Sequence, residues 1–432
     1  MKWFATLLLV LCLGLCCAGQ ERYADAAIQA AHWIESSAIK SDRGTVWPAD
    51  PRDPKTVQTD LYSGTPGVVL FFLEAYAATG NRTFLESARS GADYLAATLP
   101  EIKGDGLYEG LAGIGFTLQE TYRSSRDQKY QQAASRALDL IRTHAIRKGN
   151  GVEWSDTTDI ISGSAGIGLY LLYAARETRN PGARDLAVQA GRRLIQLAIP
   201  ENGGLKWAMS PKFPRLMPNF SHGTAGIAYF LATLYQETKE REFLAAALAG
   251  AKYLISIANT EGDACLIFHN EPDGKDLYYL GWCHGPTGTA RLFYRLFQAT
   301  GDQKWMDWVR QSARAVMQSG IPEKQTPGFW NNVSVCCGSA GIAEFFLDLY
   351  KVTKDPKYME FCRRMTSDLL SKSTRDSSGA RWVQAEHRVK PDFVVAQTGL
   401  MQGAAGIGMW LLRLDDFERG RASSMALPDS PF

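Results

Sequence analysis

One pattern recurs seven times along this 432-residue chain and limits what it can fold into: a Gly-x-x-Gly pair followed by an apolar run. The copies are "SGTPGVVLFFL" from Ser63, "EGLAGIGFTL" from Glu109, "SGSAGIGLYLL" from Ser162, "HGTAGIAYFL" from His222, "HGPTGTARLF" from His284, "CGSAGIAEFFL" from Cys337 and "QGAAGIGMWLL" from Gln402. Successive copies lie 46 to 65 residues apart. A unit repeated at this period marks a repeat architecture, not a string of unrelated domains.

Each unit has two halves. The run after the glycines is apolar nearly all round, as in "GVVLFFLEAY", which predicts a helix buried on most faces. The second half, as in "NRTFLESARSGADYLAATL" or "DQKWMDWVRQSARAVMQSG", opens with polar residues and then repeats apolar residues every three or four positions. Phe84, Ala88 and Leu95, or Trp305, Val309 and Val316, make one buried stripe. Six units supply such an outer helix, and the seventh inner helix, around residues 406–414, lacks one. The N-terminal "YADAAIQAAHWIESSAIK", with Ala26, Ala30, Trp33 and Ile34 on one face, is free to cover it. The predicted fold is all-α: an α/α toroid of seven inner and seven outer helices. It forms one domain over residues 20–417, with a polar C-terminal tail at 418–432.

A glycine lacks Cβ, so the loop before each inner helix can turn tightly and approach its neighbours. All seven loops then gather at one end of the barrel. Inner-helix N-termini converge there and favour anions and thiolates. The position before the first glycine reads Ser63, Glu109, Ser162, His222, His284, Cys337 and Gln402. A symmetric scaffold does not need that variety, which points to a site at the barrel mouth. "GWCHGPTG" brings Cys283 there, and "VCCGSAG" brings Cys336 and Cys337. Three soft sulfurs on two loops suit zinc with a coordination position left open. Buried core cysteines and a vicinal disulfide are the other readings, and His284 is a possible substitute ligand. His222 and Asp159, four residues before its glycine, are the acid–base candidates. The bland reading of Asp159 is a helix cap.

The chain opens "MKWFATLLLVLCLGLCCAGQ", with Lys2, an apolar run from Leu7 to Leu15 and small residues at Ala18 and Gly19. This is the layout of a signal peptide over residues 1–19, so export to a periplasmic or extracellular space is expected. Lipidation at Cys16 or Cys17 is the alternative. Beyond the leader, five cysteines remain: Cys265, Cys283, Cys336, Cys337 and Cys362. An odd number does not make a complete disulfide framework. A net charge of +2 leaves no electrostatic footprint for nucleic acid. No other apolar stretch approaches the ~20 residues of a membrane span.

At these motifs the chain resembles the lanthionine synthetase C-like family. The resemblance rests on "GWCHG", "CCG", "SHGTAGI", "DIISGSAG" and "GLMQGAAGIGMWLLRL", in that family's setting of a glycine-repeat toroid. It implies a mononuclear zinc held by Cys283, Cys336 and Cys337, the last standing where many members carry histidine, as in a three-cysteine subgroup. It implies His222 as the acid–base histidine and Asp159 as its acidic partner. Trp282, His284 and Glu109 are substrate-pocket candidates. The activity implied is addition of a cysteine thiol to a dehydroalanine or dehydrobutyrine, with a peptide or small thiol as substrate. Two other classes compete. One is a non-catalytic, zinc-stabilised peptide-binding module. The other is an α/α-toroid glycosidase, for which Glu109 and Asp159 are the available carboxylate pair.

Overall fold

The computed structural model describes residues 23–213 and 215–432; the leader, with Cys16 and Cys17, lies outside them. The seven inner helices are α2 (Thr65–Thr79), α4 (Leu111–Ser125), α6 (Ser164–Thr178), α8 (Thr224–Thr238), α10 (Pro286–Thr300), α12 (Ser339–Thr353) and α14 (Ala404–Glu418). Each packs against the next, and α14 packs against α2, so the inner ring is closed. The outer helices are α1 (residues 23–36), α3 (Arg82–Thr98), α5 (Gln128–His144), α7 (Pro181–Gln196), α9 (Arg241–Ile257), α11 (Gln303–Gln318) and α13 (Pro356–Ser371). Their polar openings are N-caps. Asn81, Asp127, Asp302 and Asp355 each accept from the amide two residues on.

Short antiparallel hairpins join outer helices to the next loop: β1–β2 (Ile39–Ser41, Gly44–Val46), β3–β4 (Ile146–Lys148, Gly151–Glu153), β5–β6 (Ile199–Glu201, Gly204–Lys206) and β7–β8 (Ser373–Asp376, Gly379–Ala385). A further strand, β9 (Val394–Ala396), pairs with β8. The hairpins β1–β2, β3–β4 and β5–β6 lean on α3, α7 and α9. β7–β8 leans on α1, where a Cβ at Gly379 would lie 2.2 Å from the Gln29 carbonyl. α1 reaches α3 through Ser87 Oγ, which donates to Glu35 at 2.9 Å. The N-terminal helix therefore closes the outer ring between α13's hairpin and α3.

The loops before the inner helices form a second, backbone ring. The amide of Tyr62 donates to Tyr108, Tyr108 to Ile161, Ile160 to Ser221, Ser221 to Cys283, Cys283 to Cys336, Cys336 to Met401, and Met401 back to Tyr62, all between 2.8 and 3.2 Å. Most of these residues stand two places before a repeat's first glycine. The second glycine lets its helix sit on this ring: a Cβ at Gly288 would lie 1.8 Å from the Trp282 carbonyl.

The segment after α14, read from sequence as a polar tail, folds into the inner ring. Asp429 is fully buried; it accepts from Tyr108 Oη at 3.2 Å and pairs with Arg291 of α10 at 3.2 Å. Phe432 stacks on Tyr294, ring centroids 4.3 Å apart. Among the described residues no helix is long and apolar enough to cross a membrane.

Candidate metal centre

Cys283 and Cys336 occupy the same place in adjacent loops, joined by the Cys283 amide and the Cys336 carbonyl at 3.2 Å. Gly281 allows this approach, since a Cβ there would lie 2.7 Å from Cys337 Cα. Cys337 Sγ stands 3.3 Å from the sulfurs of both Cys283 and Cys336, and the three lie within 4.8 Å of one another. All five described cysteines are free thiols, so neither a vicinal nor any other disulfide occupies the site. Cys265 and Cys362 are buried elsewhere, their thiols pushed up by desolvation, Cys265 to about 12.

The three sulfurs do not share one electrostatic state. Hydrogen bonds from Cys283 and Cys337 hold the Cys336 thiol well below its ordinary range, against burial and with help from Tyr62 and His222. Burial pushes Cys283 well up. For Cys337 the Cys283 hydrogen bond pulls down, but Cys336 and burial outweigh it and the thiol is raised. Burial and the neighbouring Cys336 thus oppose ionisation of Cys283 and Cys337. A divalent cation would stabilise all three thiolates, because metal binding displaces thiol protons. Four tetrahedral sulfurs at ~2.3 Å from zinc sit about 3.8 Å apart, a separation within the range of this cluster. The donor set and its spacing fit zinc.

Tyr62 donates to Cys336 Sγ at 3.1 Å, and Gln402 Nε2 lies 3.1 Å from Tyr62 Oη and 3.9 Å from Cys337 Sγ. These two polar groups brace the sulfurs from the first and last repeats. Sequence reasoning did not single out either as a site residue, although Gln402 stands at the variable position.

His222 Nδ1 lies 2.6 Å from Asp159 Oδ2. The other oxygen of Asp159 accepts the amides of Ser162 and Gly163, each at 2.9 Å. Asp159 therefore ties the loop before α6 as well as pairing with His222; the N-cap of α6 is Gly163, with no side-chain cap, so the helix-cap reading does not hold. Burial opposes charge on His222, but Asp159 outweighs it and the imidazole is raised above its ordinary value.

A cavity of about 270 Å³ joins these groups: His222, Trp282, the three cysteines, His284, Tyr62 and Gln402 line it, together with His269, Tyr279, Trp330 and Arg388. Trp282 packs on Tyr108 and Phe220 with ring centroids 5.3 and 5.7 Å away. His284 stands outside the sulfur cluster. Its Nε2 faces Ser221 Oγ at 3.4 Å, and burial drives its pKa well down, so the ring is neutral. Glu109 accepts from Ser162 Oγ at 2.5 Å and lines a separate cavity of about 760 Å³, which shares only Tyr62 and Glu386 with the first.

The family model described as lanthionine synthetase C-like protein matches residues 55–427. A curated relative from Danio rerio, glutathione S-transferase LANCL1, is 22% identical over 330 residues, 72% of this chain and 73% of that protein. Among solved structures, nisin cyclase superposes with a TM-score of 0.63 at 19% identity, covering 90% of this chain and 92% of the cyclase. A glycoside hydrolase family 76 mannosidase from Bacteroides thetaiotaomicron VPI-5482 gives 0.53 at 14% identity, covering 92% and 99%. Both structures share the toroid, and the family match spans most of its length. The chain belongs to the lanthionine synthetase C-like family.

Proposed function

We propose that this protein is a zinc-dependent enzyme that adds a thiol to the β-carbon of a dehydroalanine or dehydrobutyrine residue. The observation carrying this reading is the convergence of three free cysteine sulfurs and an aspartate-oriented histidine on one cavity. Cys283, Cys336 and Cys337 would hold a zinc ion, which when bound would supply the positive charge that keeps an incoming thiol deprotonated at neutral pH.

The protein's own groups account for the rest. Sulfur attack forms a C–S bond at the β-carbon and moves the alkene electron pair onto the neighbouring carbonyl as an enolate. The enolate needs a proton at the α-carbon. Asp159 fixes Nδ1 of His222, leaving Nε2 to hold that proton, and the raised pKa keeps the ring protonated for longer as pH rises. Tyr62 and Gln402 hold the ligand sulfurs in place. The glycosidase reading loses its named pair, because Asp159 is committed to His222 and two loop amides and does not line the cavity that holds Glu109. Export by a cleaved leader belongs to the same proposal and would make an exported peptide or small thiol the substrate.

The test is thiol addition to a dehydrated, cysteine-containing peptide, followed by mass spectrometry with free-thiol labelling. The native protein should consume the thiol, and His222→Asn should keep its zinc and lose the activity. Zinc-loaded native protein that leaves the peptide unchanged, and also adds no small thiol to it, would favour a binding module instead.

A further inference from the structure

One wall of the sulfur cavity carries buried nitrogens without hydrogen-bond partners. Arg388 sits in the eight-residue loop 386–393 between β8 and β9. Its Nε is buried and has no hydrogen-bond partner. The polar neighbour of its guanidinium is the Tyr279 phenol, not a carboxylate. Glu386 of the same loop also lines the cavity, but its carboxylate accepts from Gln397 Nε2 at 2.8 Å and lies 3.9 Å from His387. Two further nitrogens on this wall, His269 Nδ1 and His284 Nδ1, are also buried and unpartnered. His269 is stacked on Tyr279 at 4.3 Å and meets the His284 ring edge-on at 4.5 Å, so all four groups form one packed surface. A buried N–H without a partner is costly, and Arg388 Nε together with two unpartnered imidazole nitrogens on one wall points to an acceptor that arrives with the ligand.

We infer that Arg388, His269 and His284 form an anion subsite that takes a carboxylate carried by the thiol substrate. This deepens the reading of the sulfurs as a thiol site and rests on it. In the tautomer where Ser221 Oγ donates to His284 Nε2, 3.4 Å away, Nδ1–H is left to donate to the carboxylate. Arg388 supplies the charge, through the planar fork that suits carboxylate oxygens. The cavity is small, about 270 Å³, and holds both the cysteines and Arg388. Sulfur and carboxylate must then be only a few bonds apart. That describes a C-terminal cysteine or a small thiol acid. A cysteine within a peptide presents an amide there instead.

The test is calorimetric titration of the zinc-loaded full chain with 3-mercaptopropionate, its methyl ester, propionate and methyl propionate. The acid should bind about tenfold or more tightly than the ester, the scale of one charge-assisted contact. Arg388→Gln should reduce that preference to about twofold or less with zinc content unchanged, and Arg388→Lys should keep part of it. Equal binding of acid and ester by the native protein, or a preference that survives Arg388→Gln, overturns the subsite. So does a variant that loses turnover with acid and ester thiols alike while keeping the binding preference, since Arg388 would then act on the reaction. Propionate binding as tightly as 3-mercaptopropionate, and more tightly than methyl propionate, supports the subsite while contradicting the thiol reading.

Discussion

Tyr62 donates its hydroxyl to Cys336 Sγ at 3.1 Å across 274 residues of sequence, joining the first repeat to a sulfur of the sixth. The same oxygen faces Gln402 Nε2, so one phenol links a sulfur to the seventh repeat as well. The phenol is partly buried, with its own ionisation pushed well up by desolvation and the neighbouring sulfurs, and it therefore stays a donor. Tyr62→Phe removes a hydrogen bond that favours the thiolate of Cys336. Zinc affinity should fall about 10- to 100-fold, the usual effect of losing an outer partner of a metal ligand. Competition with a chelator measures it, and unchanged affinity would show that the phenol does not tune the sulfur.

Asp159 bears on the pH profile. A proton donor is active only while protonated, so kcat/KM should fall as pH rises through the His222 pKa. Asp159 raises that pKa above the ordinary value of about 6.5. Asp159→Asn keeps an acceptor for the Ser162 and Gly163 amides but removes the charge, leaving burial, which lowers the pKa, against the smaller raising effects of Cys336 and Glu109. The alkaline limb should move to lower pH in the variant. A limb that stays in place would assign the proton to another group.

Asp429 tests the closing segment. It is fully buried against Arg291, whose side chain is 12% exposed. Removing one partner of a buried pair strands the other charge, at a cost of about 3–5 kcal/mol. Asp429→Asn should lower the urea midpoint accordingly. A shift under about 1 kcal/mol would mean the segment is a surface tail, as its polar composition suggests.

The repeat made much of this architecture readable. Gly-x-x-Gly spacing located every inner helix, because those glycines are demanded by backbone contact, as at Gly288 against Trp282. It also located the loops that carry Cys283, Cys336, Cys337 and His222. A second repeat went unread. Gly44 and Trp47, Gly151 and Trp154, Gly204 and Trp207, and Gly379 and Trp382 mark the hairpins. The indoles of Trp154, Trp207 and Trp382 each donate to the carbonyl thirteen residues back in the outer helix. Strands of three residues are too short for alternation to register, but the Gly-x-x-Trp spacing was there to find. Tyr62 stood at the same repeat position as Cys283 and Cys336 without being read, whereas His269 and Arg388 left no such trace. Each joins the site through partners far away in the chain, which no local pattern encodes. Asp429 misled for the same reason: its polar surroundings read as solvated, while Arg291 waits 138 residues earlier.

The central claim is that three sulfurs from two neighbouring loops hold one metal ion. Metal analysis of the purified protein, native and Cys336→Ala, tests it directly. The native chain should carry one zinc, and the variant none under the same purification. A native protein without zinc, or a variant that keeps one zinc per chain, would contradict the account.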